Sequence, residues 1–164
     1  MLSLMAKPIV TRAIAFASTL MMSLALVGSL PKFKQRRQKS FADAASSGSV
    51  TRLQLLHLAG ANVNAVGLDR SPLLLAAGEG RLRAVRYLLD EGADVNALVN
   101  GNSALTEATF YGQAPVVKEL LARGANVNAI SVNGTALDVA IARNDSTLID
   151  LLKHYGAKQA SQLR

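Results

Sequence analysis

Hydrophobic residues recur at helical spacing in four separate stretches of the chain. Leu53 and Leu56, then Val85, Leu88 and Leu89, then Val117, Leu120 and Leu121, then Ile149, Leu151 and Leu152 form apolar stripes with polar residues between them, the pattern of an amphipathic helix. Each stripe ends at a Gly-Ala step, at Gly60-Ala61, Gly92-Ala93, Gly124-Ala125 and Gly156-Ala157, so the pattern returns at intervals of 32 residues. The first three steps continue as GANVNA, GADVNA and GANVNA. A shorter helix is predicted ahead of every stripe, with small residues at Ala44-Ala45, Ala76-Ala77, Ala108-Thr109 and Ala140-Ile141, where another backbone must come close. The predicted unit is therefore a helical hairpin repeated about four times.

The residues at the ends of these helices agree with that reading. Ser71, Ser103 and Thr135 stand where a hydroxyl caps the first helix. Pro72 falls at the first helical position, where its missing donor is harmless, and Pro115 is expected to open a second helix in the same way. Gly60, Gly92, Gly124 and Gly156 follow the second helices, where a left-handed residue terminates the turn. Asn100-Gly101 and Asn133-Gly134 supply turn chemistry between units, which Asp69-Arg70 does not. Leu89 and Leu121 of the inner units become His57 and Lys153 in the outer ones, as expected where an end unit has no neighbour to cover that face.

Residues 41 to about 158 resemble the ankyrin-repeat family, whose unit is a β-turn and two antiparallel helices with a T-P-L-H-x-A signature. The signature reads Ser71-Pro72-Leu73-Leu74-Leu75-Ala76, then Ser103-Ala104-Leu105-Thr106-Glu107-Ala108, then Thr135-Ala136-Leu137-Asp138-Val139-Ala140. The family's His is replaced each time, by Leu74, Thr106 or Asp138, so its local hydrogen-bond network must be partly rebuilt. The period is one residue short of the common 33, which places the deletion in the hairpin between units. The resemblance implies an all-α repeat solenoid of about four ankyrin repeats with short β-hairpin loops, preceded by an N-terminal apolar helix. Its expected divisions are a signal or anchor over 1–30, a basic flank or linker over 31–40, repeats near 41–65, 66–97, 98–129 and 130–158, and a tail over 159–164.

The resemblance also implies a protein-binding surface without naming the partner. Phe110 and Tyr111 occupy columns that hold Gly78 and Glu79 in the unit before and Ala142 and Arg143 in the unit after, so they are the expected anchors of a concave face. Leu74, Glu79, Thr106, Glu107, Asp138 and Arg143 are expected on its helix side. Leu68, Asp69, Arg70, Asn100, Asn102 and Val132 are expected on its hairpin side.

Ahead of the repeats, residues 13–30 form an uncharged run, AIAFASTLMMSLALVGSL, that ends at Pro31. As a helix it spans roughly 27 Å, close to the hydrocarbon thickness of a bilayer. The same residues also read as a secretory signal. There is no good A-x-A cleavage site, and KFKQRRQK follows at once, so a retained single-pass anchor with the repeats on the cytoplasmic side is preferred. Cleavage and a periplasmic or secreted domain is the alternative.

Composition narrows the chemistry. The net charge of +7 arises in residues 1–40, which hold seven basic side chains and no acid; the remainder is balanced at eleven of each sign. Such a body gives a phosphate backbone no extended positive face, so nucleic acid is disfavoured. With no Cys and only His57 and His154, metal sites have few ligands; none is expected, nor is a cofactor. No nucleophile elbow, phosphate loop or zinc-protease motif occurs, and Gly78-Glu79-Gly80 falls where the repeat needs a turn. Glu107 and Asp138, in neighbouring columns, are the one candidate carboxylate pair. The expected function is a non-catalytic, monomeric protein-interaction module attached to or exported through a membrane. The alternatives are a small enzyme or enzyme inhibitor working in the groove, or a basic N-terminal arm acting on membrane or nucleic acid.

Overall fold

The computed structural model describes residues 31–65 and 70–163. The predicted apolar helix over 13–30 and the hairpin-side residues Leu68 and Asp69 lie outside the described residues. The chain divides into two compact units, Met1–Arg36 and Arg37–Arg164. Among the described residues no helix is long and apolar enough to cross a membrane.

Eight α-helices are described: α1 (Pro31–Ser47), α2 (Val50–Leu58), α3 (Pro72–Gly78), α4 (Leu82–Asp90), α5 (Ala104–Phe110), α6 (Ala114–Ala122), α7 (Ala136–Ala142) and α8 (Ser146–His154). A single 3-10 turn, Ala160–Gln162, ends the described chain. Residues 31–40 are helical. The reason is local: after Pro31 the stretch is built mainly from Lys, Arg and Gln, which are strong helix formers, and holds no glycine.

In the second unit the helices stack in two rows, with α3, α5 and α7 in one and α2, α4, α6 and α8 in the other. The apolar stripes meet between the rows. Leu53, Val85, Leu88, Val117, Leu120, Leu148 and Leu152 are fully buried, and Ala44, Ala76, Ala108 and Ala140 lie on the opposite side of the same core. Thr109 fits the small-residue column because its hydroxyl donates to the Leu105 carbonyl at 2.8 Å, which leaves no buried polar group unpaired.

All three predicted hydroxyl caps form. Ser71, Ser103 and Thr135 accept the N–H of Leu74, Thr106 and Asp138 respectively. The side chains of Thr106 and Asp138 return a bond to the cap residue's own N–H, closing reciprocal capping boxes. The positions that lost the family's His are thus refitted in two repeats, while Leu74 is simply buried. Pro72 opens α3 as expected, whereas Pro115 sits one residue inside α6, behind Ala114.

No strands occur among the described residues. The hairpins are single antiparallel bridges, Val99 to Asn102 and Ser131 to Gly134. The first closes on Asn100-Gly101, both left-handed at φ 51° and 75°, as a two-residue turn requires. The second centres on Val132-Asn133, with Gly134 taking the left-handed conformation, so its turn is one residue earlier than Asn133-Gly134 implied.

Candidate functional site

The exposed end of α5 carries the aromatic anchors. Phe110 is its last residue and Tyr111 its C-cap; their side chains are about half exposed, at 47% and 49%. The rings meet edge to face, with centroids 5.1 Å apart and planes at 87°, a favoured geometry for aromatic pairs. Room for Tyr111 is made by Gly78 of the preceding repeat. A Cβ on Gly78 would stand 3.3 Å from the Tyr111 ring and 3.1 Å from Glu107 Cγ. From the following repeat, Arg143 donates to the Phe110 carbonyl and lays its guanidinium against Gly112. The pair therefore rests on groups from three successive repeats.

The other predicted helix-side residues divide by exposure. Glu79 and Arg143 are exposed beside the aromatics, and Asp138 is half-buried. Leu74, Thr106 and Glu107 are buried, which removes them from the accessible face. Their positions in the first turns of α3 and α5 point them between repeats, where Thr106 closes its capping box and Glu107 accepts from Arg70 Nη1 at 2.9 Å. On the hairpin side, Arg70, Asn100 and Val132 are exposed and Asn102 is half-buried.

Glu107 and Asp138 do not act as a pair of carboxylates. Glu107 is held by Arg70, while Asp138 accepts from the N–H groups of Thr135 and Ala160, both at 2.9 Å, and from the Thr135 hydroxyl. Burial pushes the Asp138 carboxyl upward, but hydrogen bonds from Ala160, Thr135 and Gln159 outweigh it, leaving its pKa below the ordinary value. Asp138 thus remains a carboxylate that anchors the C-terminal turn.

Each histidine lies beside an aromatic ring. His57 is half-buried, with Nδ1 3.2 Å from the Ala61 carbonyl oxygen, Nε2 3.4 Å from Glu91 and its ring tilted over Phe41. His154 is exposed beside Tyr155. Among the described residues no group of three potential ligands is placed to hold a metal ion.

The sequence reading missed two further surface residues. Leu98 and Ile130 are each 56% exposed and occupy one column, two residues after the Asn of the VNA segment; Val132, 68% exposed, follows Ile130. Val66 holds the same column in the repeat before. The signal was a large apolar residue in the same column of three successive connecting segments, Val66, Leu98 and Ile130, where neither helix needed it.

A family profile describing three ankyrin repeats matches residues 41–131, more than half of the 164-residue chain. No curated protein matches the chain. The α7–α8 pair lies beyond the matched segment and repeats its capping pattern through Thr135, Asp138 and Gly156. With its stacked helical pairs, capped first helices and matching profile, this chain belongs to the ankyrin-repeat family.

Proposed function

We propose that this protein is a non-catalytic interaction module whose repeats capture a protein partner on the face around Phe110 and Tyr111. The observation that carries the reading is the half-exposed, edge-to-face aromatic pair itself. The Tyr111 ring packs on Gly78 and on Phe110, and Arg143 holds the Phe110 carbonyl, in columns where the scaffold accepts glycine, alanine and charged residues. Aromatics fixed in this way lose little entropy on binding and serve as anchors. Leu98, Ile130 and Val132 add apolar contact area along the hairpins, with Glu79, Arg70 and Arg143 as a mixed-charge rim. The separation of Glu107 from Asp138 by their own partners argues against acid-base chemistry in this groove.

The repeats act as a monomer, and the run over 13–30 attaches the chain to a membrane as a single span with the repeats on the cytoplasmic side. Its charge pattern supports this orientation over export and cleavage. The test of the binding face is quantitative capture of proteins by immobilised full chain, comparing wild type with Tyr111→Ala and Phe110→Ala. A captured protein whose yield falls at least tenfold in Tyr111→Ala, with an unchanged circular dichroism spectrum, supports the site. Undiminished capture by both variants removes the aromatic pair from it.

A further inference from the structure

We infer that the exposed face of α1 formed by Lys32, Arg36 and Lys39 binds anionic headgroups of a lipid surface, an inference that rests on the membrane attachment proposed above. These residues are spaced four and three apart on one helix and all are exposed, so they share one face. Phe41 and Ala45, on the opposite face, are fully buried. Lys34 is also exposed and Arg37 half-buried, giving five cations between residues 32 and 39. The one acid in α1 is Asp43, a turn beyond Lys39 on the same face.

The local electrostatics leave these charges uncompensated. None of the five makes an ion pair among the described residues, whereas Arg70, Arg86 and Arg123 are each paired with Glu or Asp. The first turn of α1 has no acidic residue. Cations there oppose the helix dipole, and the four-residue step from Lys32 to Arg36 adds like-charge repulsion, each worth a few tenths of a kcal/mol or more. An external anionic surface relieves both at once.

Two observations select lipid over a nucleic-acid backbone. The uncharged run over 13–30 ends immediately before α1, which brings these cations to the level of the headgroups when that run enters a bilayer. Phe33 lies among them with its ring 46% exposed, a side chain suited to the interfacial zone. The charge balance of residues 41–164 meanwhile offers no positive track that continues the patch.

Lipid titrations of the full chain, read by vesicle flotation, test the inference with phosphatidylcholine alone and with added phosphatidylserine. Each basic residue near an anionic surface is worth about fivefold in partitioning, so Lys32→Gln/Arg36→Gln/Lys39→Gln lowers the anionic value about 100-fold. The phosphatidylcholine value and the far-UV spectrum stay unchanged, and so do both partition values in Arg83→Gln/Lys118→Gln, which removes exposed cations of the repeats. Equal partitioning of wild type into both vesicles, or an unaffected triple variant, overturns the inference and leaves the attachment standing. Binding to anionic vesicles alone supports it and overturns insertion of the apolar run. No flotation with either overturns both. Tighter binding to a DNA duplex at equal phosphate concentration, lost in the same triple variant, overturns it in favour of nucleic acid.

Discussion

Gln38 grips Asn62 by both of its backbone groups, accepting the N–H on Oε1 at 3.0 Å and donating from Nε2 to the carbonyl at 2.8 Å. The pair is the first rung of a ladder between repeats. Asn64 accepts from Asp94 N–H and donates to the Gly92 carbonyl; Asn96 does the same to Asn126 and Gly124, and Asn128 to Lys158 and Gly156. The described residues ahead of the first repeat are helical, and there a glutamine supplies the rung that an asparagine supplies elsewhere. Gln38→Ala removes two exposed hydrogen bonds and is expected to destabilise the array by about 1 kcal/mol. Hydrogen exchange should quicken first at Asn62 and Asn64, and uniform protection in the variant would show that Gln38 is dispensable as a cap.

Gly78 is the helical residue on which Tyr111 depends. Alanine there gains helix propensity worth about 1 kcal/mol, but the added Cβ meets Glu107 at 3.1 Å and the Tyr111 ring at 3.3 Å. Glu107 is buried and tied to Arg70, whereas Tyr111 is half exposed, so the ring yields. Gly78→Ala should therefore change stability by less than about 1 kcal/mol while shifting the Tyr111 ring resonances and weakening partner capture. Unmoved resonances would mean that the ring does not rest on Gly78.

The repeat was legible in the sequence because its determinants are local: stripes of Leu and Val, a hydroxyl before each first helix and a glycine after each second one. The accessible face was harder to read. Leu74, Thr106 and Glu107 look like open positions along the chain, and only the arrival of the neighbouring repeat and of Arg70 buries them. Phe110 and Tyr111 were identifiable because they break a column of small and charged residues. The asparagine ladder escaped because its bonds join residues 28 to 30 positions apart, beyond any local pattern, and KFKQRRQK was read for its charge before its helix propensity.

Asp138 makes the last repeat acid-sensitive. Its folded pKa lies below the ordinary value, so its contribution is fully present above the ordinary carboxylate range and drains away as pH falls through the lower folded value. Asp138→Asn keeps a carbonyl acceptor but loses the charge. Urea midpoints taken from about pH 7 to about pH 3 should show wild type more stable at neutrality, with the gap closing toward acid. Because the other carboxylates titrate in both proteins, the difference isolates this one; a gap constant with pH would show that the anchor does not depend on the charge.

The capping box of α5 sets up a contest between a hydrogen bond and a methyl group. Ser103 N–H donates to Thr106 Oγ1 at 3.0 Å, Thr106 N–H donates to Ser103 Oγ at 3.1 Å, and both residues are buried. Thr106→Val keeps the shape and gains up to about 0.8 kcal/mol of apolar transfer, but strands the buried Ser103 N–H at a cost of about 1–3 kcal/mol. The loss wins. Thermal unfolding should therefore show a midpoint lower by a few degrees, on the scale of about 2–4 °C per kcal/mol for a chain of this length. Thr106→Ser retains the hydroxyl and gives up only the methyl, so it should fall less than Thr106→Val. The reverse order would mean that the column is governed by packing and that the bond to Ser103 adds nothing.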